Sequence, residues 1–299
     1  MAETAQNRGK TTAAQAPRRP LVDAAGNPHT RAATGARTAP RIVSLVPSVT
    51  ELLFALGLGS SVVGRTAFCV HPAGAAKAVA SVGGTKRVNL KRLLALKPTH
   101  VVVNVDENPK ALADDLAGRG IAVVVTHPIE VEDNIALFRL IGGVFGAEQA
   151  AEDLARRFEA TLAGVRAAAK AMPARRVLYL IWKDPWMTVG ADTYVSRLLA
   201  TVNWNTVGAR MSGPGDPGAG KRYPEVALTD ATLRDIDLVL FSSEPYAFTA
   251  ADARQFRAAF PAHAAKARLV DGQLLSWYGS RAILGLEYLV ALAHAEAKK

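Results

Sequence analysis

The 299-residue chain contains a single cysteine, Cys69, and no long apolar run. One cysteine excludes an intramolecular disulfide, so the cysteine count gives no support for an oxidising compartment. No stretch approaches the roughly 20 continuous apolar residues of a membrane-spanning helix. The amino-terminal residues have neither the apolar core of a signal peptide nor a hydrophobic run after Arg18-Arg19, which twin-arginine export requires. As written, the sequence predicts a cytoplasmic protein without a membrane span.

Acidic residues are the minority among the charged ones, with 26 Asp and Glu against 36 Lys and Arg, a formal net charge of +10. Such a balance is compatible with nucleic acid or acidic lipid as a partner. The sequence has no stripe of clustered Lys and Arg with interleaved aromatic residues, and no nucleic-acid motif. We therefore expect a solvated basic surface and no nucleic-acid partner. Residues 1–38 are polar and rich in Ala, Thr, Pro and Arg, so we expect a disordered basic tail there.

Short apolar runs alternate with helical patterns in both halves of the chain. Strands are predicted at residues 41–46, 62–64, 100–103 and 121–125, and again at residues 177–182, 238–241 and 268–270. Strands that alternate with helices predict a mainly parallel sheet covered on both faces. In such open sheets, ligands bind beyond the carboxyl ends of the strands.

A stretch with helical periodicity alone separates the two halves. Residues 132–145 predict one helix, and residues 148–172 predict a second, long one. The second helix has a single apolar face, because its apolar residues recur at helical spacing. They are Leu154, Phe158, Leu162 and Val165.

The pattern predicts an α/β protein with two lobes of mainly parallel sheet joined by one long helix. We expect the amino-terminal lobe at residues 39–146, the linking helix at 147–172 and the carboxyl-terminal lobe at 173–299. Two lobes that face each other turn their strand ends into a cleft.

Six segments carry a resemblance to a known family. They are residues 41–57 (RIVSLVPSVTELLFALG), 68–72 (FCVHP), 82–86 (VGGTK), 89–98 (NLKRLLALKP), 222–226 (RYPEV) and 276–279 (SWYG). Together they resemble the helical-backbone (cluster A-III) substrate-binding proteins of ABC importers, which bind cobalamin, haem or iron siderophores. The resemblance covers about residues 40 to 297 and is closest to the cobalamin-binding periplasmic receptors. It implies two Rossmann-like lobes bridged by one long backbone helix, in agreement with the periodicity.

The resemblance also implies a function. The protein would be the substrate-binding component of an ABC importer, without enzyme activity or an intrinsic cofactor, and we expect a monomer. Its ligand would be a corrinoid (cobalamin-like) or a related metal chelate, held in the inter-lobe cleft. An ABC permease would dock through one acidic residue on each lobe, Glu51 and Asp230, the latter in place of the family's usual Glu. Family members are periplasmic, which is the alternative to a cytoplasmic location.

Residues expected at the cleft fall at strand ends and in loops. Aromatic rings that carry a polar N–H or O–H group suit a large, flat, partly polar ligand. By resemblance, Tyr223 lies where cobalamin receptors use a tryptophan to cover the corrin, and Arg281 matches an arginine near the cleft. Core packing is the alternative for the aromatic residues, and turn geometry is the alternative for Gly84. The expected ligand-binding set is Phe68, Gly84, Thr85, Lys86, Trp182, Trp186, Tyr223, Glu244, Tyr246, Trp277, Tyr278 and Arg281.

Some residues allow a second interpretation. In an extended segment Cys69 and His71 would share a face and could reach one metal ion, but the favoured interpretation is that both are structural loop residues. Glu51 follows Ser48 by three residues, a helix capping box that is compatible with docking. The alternative function is a cytoplasmic chaperone or enzyme of metal-cofactor metabolism, with Cys69 and His71 contacting metal. Residues 211–220, rich in Gly and Pro, predict a mobile flap at the cleft edge.

Overall fold

The computed structural model describes residues 21–32, 39–207 and 221–298. The predicted flap at residues 211–220 lies outside the described residues, as do residues 1–20 and 33–38 of the predicted tail. None of the helices in the described ranges combines the length and the apolarity that crossing a membrane requires.

A small hairpin precedes the first lobe. Strands β1 (Leu21–Val22) and β2 (Pro28–His29) pair antiparallel. The turn between them is held by Asp23, a buried carboxylate that accepts hydrogen bonds from His29 and from the backbone N–H of Val125. Burial raises the pKa of Asp23, but these hydrogen bonds outweigh it and hold the pKa below its ordinary value. Residues 21–32 are therefore ordered, contrary to the predicted tail, because a contact 102 residues away in sequence fixes them.

The first lobe contains a five-stranded parallel sheet. Its strands are β3 (Ile42–Ser44), β4 (Val62–Arg65), β5 (Ala80–Ser81), β6 (His100–Asn104) and β7 (Ala122–Thr126). They lie in the order β5-β4-β3-β6-β7. The central strand β3 is wholly buried, as expected for a parallel strand covered on both faces. Helices α1 (Pro47–Ala55), α2 (Leu90–Ala95) and α3 (Lys110–Gly118) connect the strands.

Two packed helices follow the first sheet, α4 (Asp133–Phe145) and α5 (Glu148–Ala169). The 22 residues of α5 make a rod of about 33 Å. Its predicted apolar face is buried and packs against α4. The helix ends three residues earlier than predicted, where the side-chain amide of Asn203 donates to the carbonyl oxygens of Ala169 and Met172.

The second lobe contains a four-stranded parallel sheet in the order β11-β10-β8-β9, with β8 (Arg175–Leu180), β9 (Trp204–Thr206), β10 (Leu238–Ser242) and β11 (Ala267–Val270). Its helices are α6 (Tyr194–Ala200), α7 (Asp230–Arg234), α8 (Ala250–Ala259), α9 (Gly272–Ser276) and α10 (Arg281–Ala297). Helix α10 also packs along α5. The predicted α/β architecture of two parallel-sheet lobes with a long linking helix is confirmed.

Candidate ligand-binding cleft

A cleft of about 820 Å³ lies between the two lobes. Its walls come from the segments that follow β3, β4, β5, β6 and β7 in the first lobe and β8, β9, β10 and β11 in the second. The carboxyl ends of both sheets therefore face the same space, which is where open α/β sheets bind ligands. Small-molecule sites usually measure roughly 300–1,000 Å³, so this cleft has room for a large ligand.

Three exposed aromatic rings line the cleft. Phe68 comes from the first lobe with 60% of its surface exposed, and Trp182 and Tyr223 come from the second with 42% and 40% exposed. Tyr246 supports Trp182 by an edge-to-face contact with 5.6 Å between ring centroids. Grouped apolar surface of this kind usually marks a place where a ligand or partner binds.

A more rigid wall is formed by Trp277 and Tyr278, which are largely buried but still reach the cleft. The indole Nε1 of Trp277 donates to Glu244 Oε2 at 2.8 Å. Gly279 then turns the chain with a φ of 81°, and a Cβ at this position would lie only 3.2 Å from the Ser48 carbonyl oxygen. Only glycine adopts this conformation and allows such a close approach without a steric cost. The backbone path of residues 276–279 (SWYG) therefore requires glycine at position 279.

Two carboxylates missed by the sequence analysis also line the cleft, Asp106 and Glu107. Arg222 of the second lobe donates to Asp106 Oδ1 at 2.9 Å, and Tyr223 donates from its hydroxyl to Asp106 Oδ2 at 3.5 Å. The imidazole of His127 lies 3.5 Å from the same carboxylate. Both carboxylates directly follow β6, so the strand-end rule that was applied to the aromatic residues also covers them.

The pKa of Glu107 is raised above the ordinary value of a glutamate side chain. Burial raises its pKa to about 7, and the neighbouring charges of Asp106 and Glu244 push in the same direction. The Tyr278 hydroxyl, which donates to Glu107 Oε1 at 3.1 Å, and the charge of Lys86 oppose this shift. Glu107 is therefore protonated in part of the molecules at neutral pH.

Eight of the twelve residues expected to bind ligand line the cleft; their contact with a ligand remains a prediction. They are Phe68, Thr85, Lys86, Trp182, Tyr223, Glu244, Trp277 and Tyr278.

The other four are absent from the cleft lining, and each has other contacts. Gly84 lies behind Phe68, where a Cβ would be 3.5 Å from that ring. Trp186 stacks on Phe248 at 5.9 Å, and both Trp186 and Tyr246 pack against the hydrophobic core of the second lobe. Arg281 is engaged by an ion pair outside the cleft.

The two predicted docking residues have different surroundings. Glu51 forms a two-pronged ion pair with Arg281, with N–O distances of 2.7 and 2.8 Å. The predicted capping box is wrong, because α1 begins at Pro47 with Val46 as its cap and no side-chain cap bond. Asp230 begins α7, and its side chain is 76% exposed.

Cys69 and His71, for which metal contact remains a prediction, have different hydrogen-bond partners. The chain turns just before this segment, where the Thr66 carbonyl accepts a hydrogen bond from the Cys69 N–H. The Cys69 sulfur is buried beside the Thr50 and Thr66 hydroxyls, and burial raises the pKa of its thiol. His71 instead lies 2.8 Å from the side-chain oxygen of Gln273. Within the described ranges, no group of three or more His, Cys, Asp or Glu residues could hold a metal ion.

The chain belongs to the periplasmic binding protein family, whose model matches residues 42–263. Its relatives include the vitamin B12-binding protein of Yersinia pseudotuberculosis, 25% identical over 208 residues, 68% of this chain and 74% of that protein. They also include the ABC transporter substrate-binding lipoprotein YvrC of Bacillus subtilis, 30% identical over 181 residues, 58% of this chain and 57% of that protein.

Solved structures share the fold. The periplasmic vitamin B12-binding protein BtuF of Vibrio cholerae superimposes with a TM-score of 0.74 at 18% identity, covering 87% of this chain and 99% of that one. The periplasmic haem-binding protein RhuT of Roseiflexus has a TM-score of 0.73 at 23% identity, with the same coverage.

These findings confirm the predicted resemblance. Members of the family are non-enzymatic components of transport, so the chain is a substrate-binding protein and the alternative of an enzyme is wrong. The relatives include periplasmic proteins and a lipoprotein, and none of them supports the predicted cytoplasmic location.

Proposed function

We propose that the protein captures a corrinoid, or a related metal chelate, in the inter-lobe cleft and delivers it to an ABC permease outside the cytoplasm. The observation that carries this proposal is the grouping of exposed rings from both lobes, Phe68, Trp182 and Tyr223, around one cleft of about 820 Å³. Relatives named for vitamin B12 and haem binding support the same ligand class.

The cleft offers a flat chelate more than one kind of contact. Aromatic contacts contribute about 0.5–1.5 kcal/mol each beyond the area they bury. A micromolar complex requires about 8 kcal/mol, so three rings supply only part of the affinity and burial of the ligand's apolar surface has to supply the rest. Polar side chains at the cleft edge, such as Lys86 and Glu244, would then fix the orientation of the ligand.

Permease docking through Glu51 and Asp230 is part of the proposal. Asp230 lies 3.3 Å from His263 Nε2, but 76% of its side chain is exposed, so a cation of a permease could still reach it. Glu51 is only 17% exposed and already pairs with Arg281. A permease cation would therefore have to displace Arg281 from Glu51.

A binding titration tests the proposal. The purified full chain would be titrated with cobalamin, cobinamide, haem and ferric siderophores, and followed by ligand absorbance and tryptophan quenching. We expect saturable one-to-one binding of a corrinoid. Absence of binding across the whole panel would overturn the ligand class. Fractionation of tagged protein tests the location, since a purely cytosolic pool would contradict a role in uptake.

A further inference from the structure

Two adjacent residues hold two carboxylates that come from opposite lobes. Trp277 donates from its indole to Glu244, which follows β10, and Tyr278 donates from its hydroxyl to Glu107, which follows β6. All four side chains line the cleft. The segment between α9 and α10 thus fixes one carboxylate from each lobe against the ligand space.

The positive charges of the cleft are already engaged. Arg222 pairs with the Asp106 carboxylate, and the Lys86 ammonium donates to the backbone carbonyl of Asp106. The lining contains three carboxylates, those of Asp106, Glu107 and Glu244, against these two cations. A ligand in the cleft therefore meets an excess of acceptor groups.

The two held carboxylates keep capacity to accept further hydrogen bonds. An ionised carboxylate has about four acceptor positions. Glu107 receives one hydrogen bond from Tyr278, and Glu244 receives one from Trp277 and one from Gln273. The remaining positions suit N–H or O–H donors of a ligand, whereas a ligand carboxylate would be repelled in a partly desolvated cleft.

On the basis of the proposed function, we propose that Glu107 and Glu244 select the chemical class of the chelate. They accept hydrogen bonds from amide, hydroxyl or ammonium groups at its periphery and disfavour chelates that carry carboxylates there. Corrinoids with amide side chains belong to the favoured class, and porphyrins with propionate groups belong to the disfavoured one.

The titration of Glu107 adds a pH dependence to this selection. The groups that face it are the hydroxyls of Tyr278 and Tyr223, the Lys86 ammonium, and the carboxylates of Asp106 and Glu244. Burial raises its pKa to about 7, so Glu107 is mainly ionised at pH 8 and mainly protonated at pH 6. Protonation removes one negative charge from the cleft, so discrimination against ligand carboxylates is expected to weaken as the pH falls.

The test compares cobinamide with cobyrinic acid, both in their dicyano forms. These probes share the corrin ring, but the first carries peripheral amides and the second carries carboxylates. At pH 8 we expect the wild-type protein to bind cobinamide at least tenfold more tightly, with a smaller ratio at pH 6. In the double variant Glu107→Gln/Glu244→Gln the ratio should fall several-fold, mainly through tighter binding of cobyrinic acid.

A matched control is Glu287→Gln, which removes one exposed carboxylate from α10 and should leave the ratio unchanged. Equal affinities of the wild-type protein for the two probes would overturn the selection while leaving corrinoid capture intact. A ratio that the double variant preserves would overturn the assignment to these two residues. Failure of both probes to bind would overturn corrinoid capture, and the selection with it, whereas capture of another metal chelate is tested by the wider panel.

Discussion

Two of the ion pairs that join the lobes differ in their surroundings. The Glu51–Arg281 pair lies outside the cleft, is two-pronged, and has side chains only 17% and 11% exposed. The Asp106–Arg222 pair lines the cleft, has a single 2.9 Å contact, and has side chains 28% and 23% exposed. Because a buried ion pair is much harder to break than an accessible one, we infer that the first pair fixes the lobes more firmly than the second does.

The Glu51–Arg281 pair, which fixes the lobes, also contacts a wall of the cleft through Trp277. The Arg281 guanidinium lies over the Trp277 ring, 5.4 Å from its centroid, and the His71 ring meets the same indole edge-on at 5.7 Å. Trp277 is therefore held by a second-lobe cation that Glu51 anchors and by a first-lobe imidazole. The position of this cleft wall depends on the lobes remaining together.

Removal of the fixed pair is expected to have the largest effect. Arg281→Ala leaves the Glu51 carboxylate largely buried without its partner, which should lower the free energy of unfolding by roughly 2–4 kcal/mol. Urea denaturation measures this loss. The double variant Glu51→Gln/Arg281→Met removes both charges, so its free energy of unfolding should fall by less than that of the single variant. A loss below about 1 kcal/mol for Arg281→Ala would remove the distinction between the two pairs.

Loss of the Trp277 indole should have the next largest effect. Trp277→Ala removes a ring from the cleft wall and should weaken corrinoid binding by about 1–3 kcal/mol, measured by titration calorimetry. Trp186→Phe is the matched control, because Trp186 stacks on Phe248 in the core of the second lobe. An affinity unchanged in Trp277→Ala would exclude Trp277 from the site.

The raised pKa of Glu107 predicts how the stability of the protein varies with pH. Because its pKa in the folded protein, about 7, is above the ordinary carboxyl value, the folded state binds more protons than the unfolded state between about pH 4.5 and 7. Its contribution to stability is complete below that window and is lost as the pH rises through 7. Glu107→Gln should therefore unfold at higher urea concentration than wild type at pH 8, with the difference shrinking or reversing by pH 5. A constant difference between pH 5 and 8 would contradict the raised pKa.

The accessible pair should have the smallest effect on stability. Asp106→Asn weakens the contacts of Asp106 with Arg222 and His127, which are partly solvated, so the free energy of unfolding should change by less than about 1 kcal/mol. If the pair must open for ligand to enter, the association rate of a corrinoid should increase in stopped-flow measurements. A slower association would show that the pair guides entry instead of delaying it.

Local patterns in the sequence predicted most of the fold. The strand runs and the apolar face of α5 depend on neighbours a few residues away, so periodicity was sufficient for them. The hairpin of β1 and β2 was missed because Asp23 is ordered by Val125, far away in the sequence. The short strand β9 (Trp204–Thr206) was missed because its three residues are too few to show alternation.

The candidate site was predicted less completely. Trp182 and Tyr223 were found because aromatic residues in loops are conspicuous, and Phe68 lies in one of the segments that carry the family resemblance. Trp186 also lies in a loop, and only its packing on Phe248 separates it from the cleft. The ion pairs of Asp106 and Glu51 join residues 116 and 230 positions apart, and a single sequence does not show such pairings.

The central claim is that exposed rings of the cleft hold a corrinoid, and titration calorimetry of the double variant Trp182→Ala/Tyr223→Ala with cobinamide tests it most directly. Since both rings are about 40% exposed, the variant should unfold within about 1 kcal/mol of wild type. The affinity should nevertheless fall at least tenfold. A variant that binds cobinamide as tightly as the wild-type protein would contradict the claim.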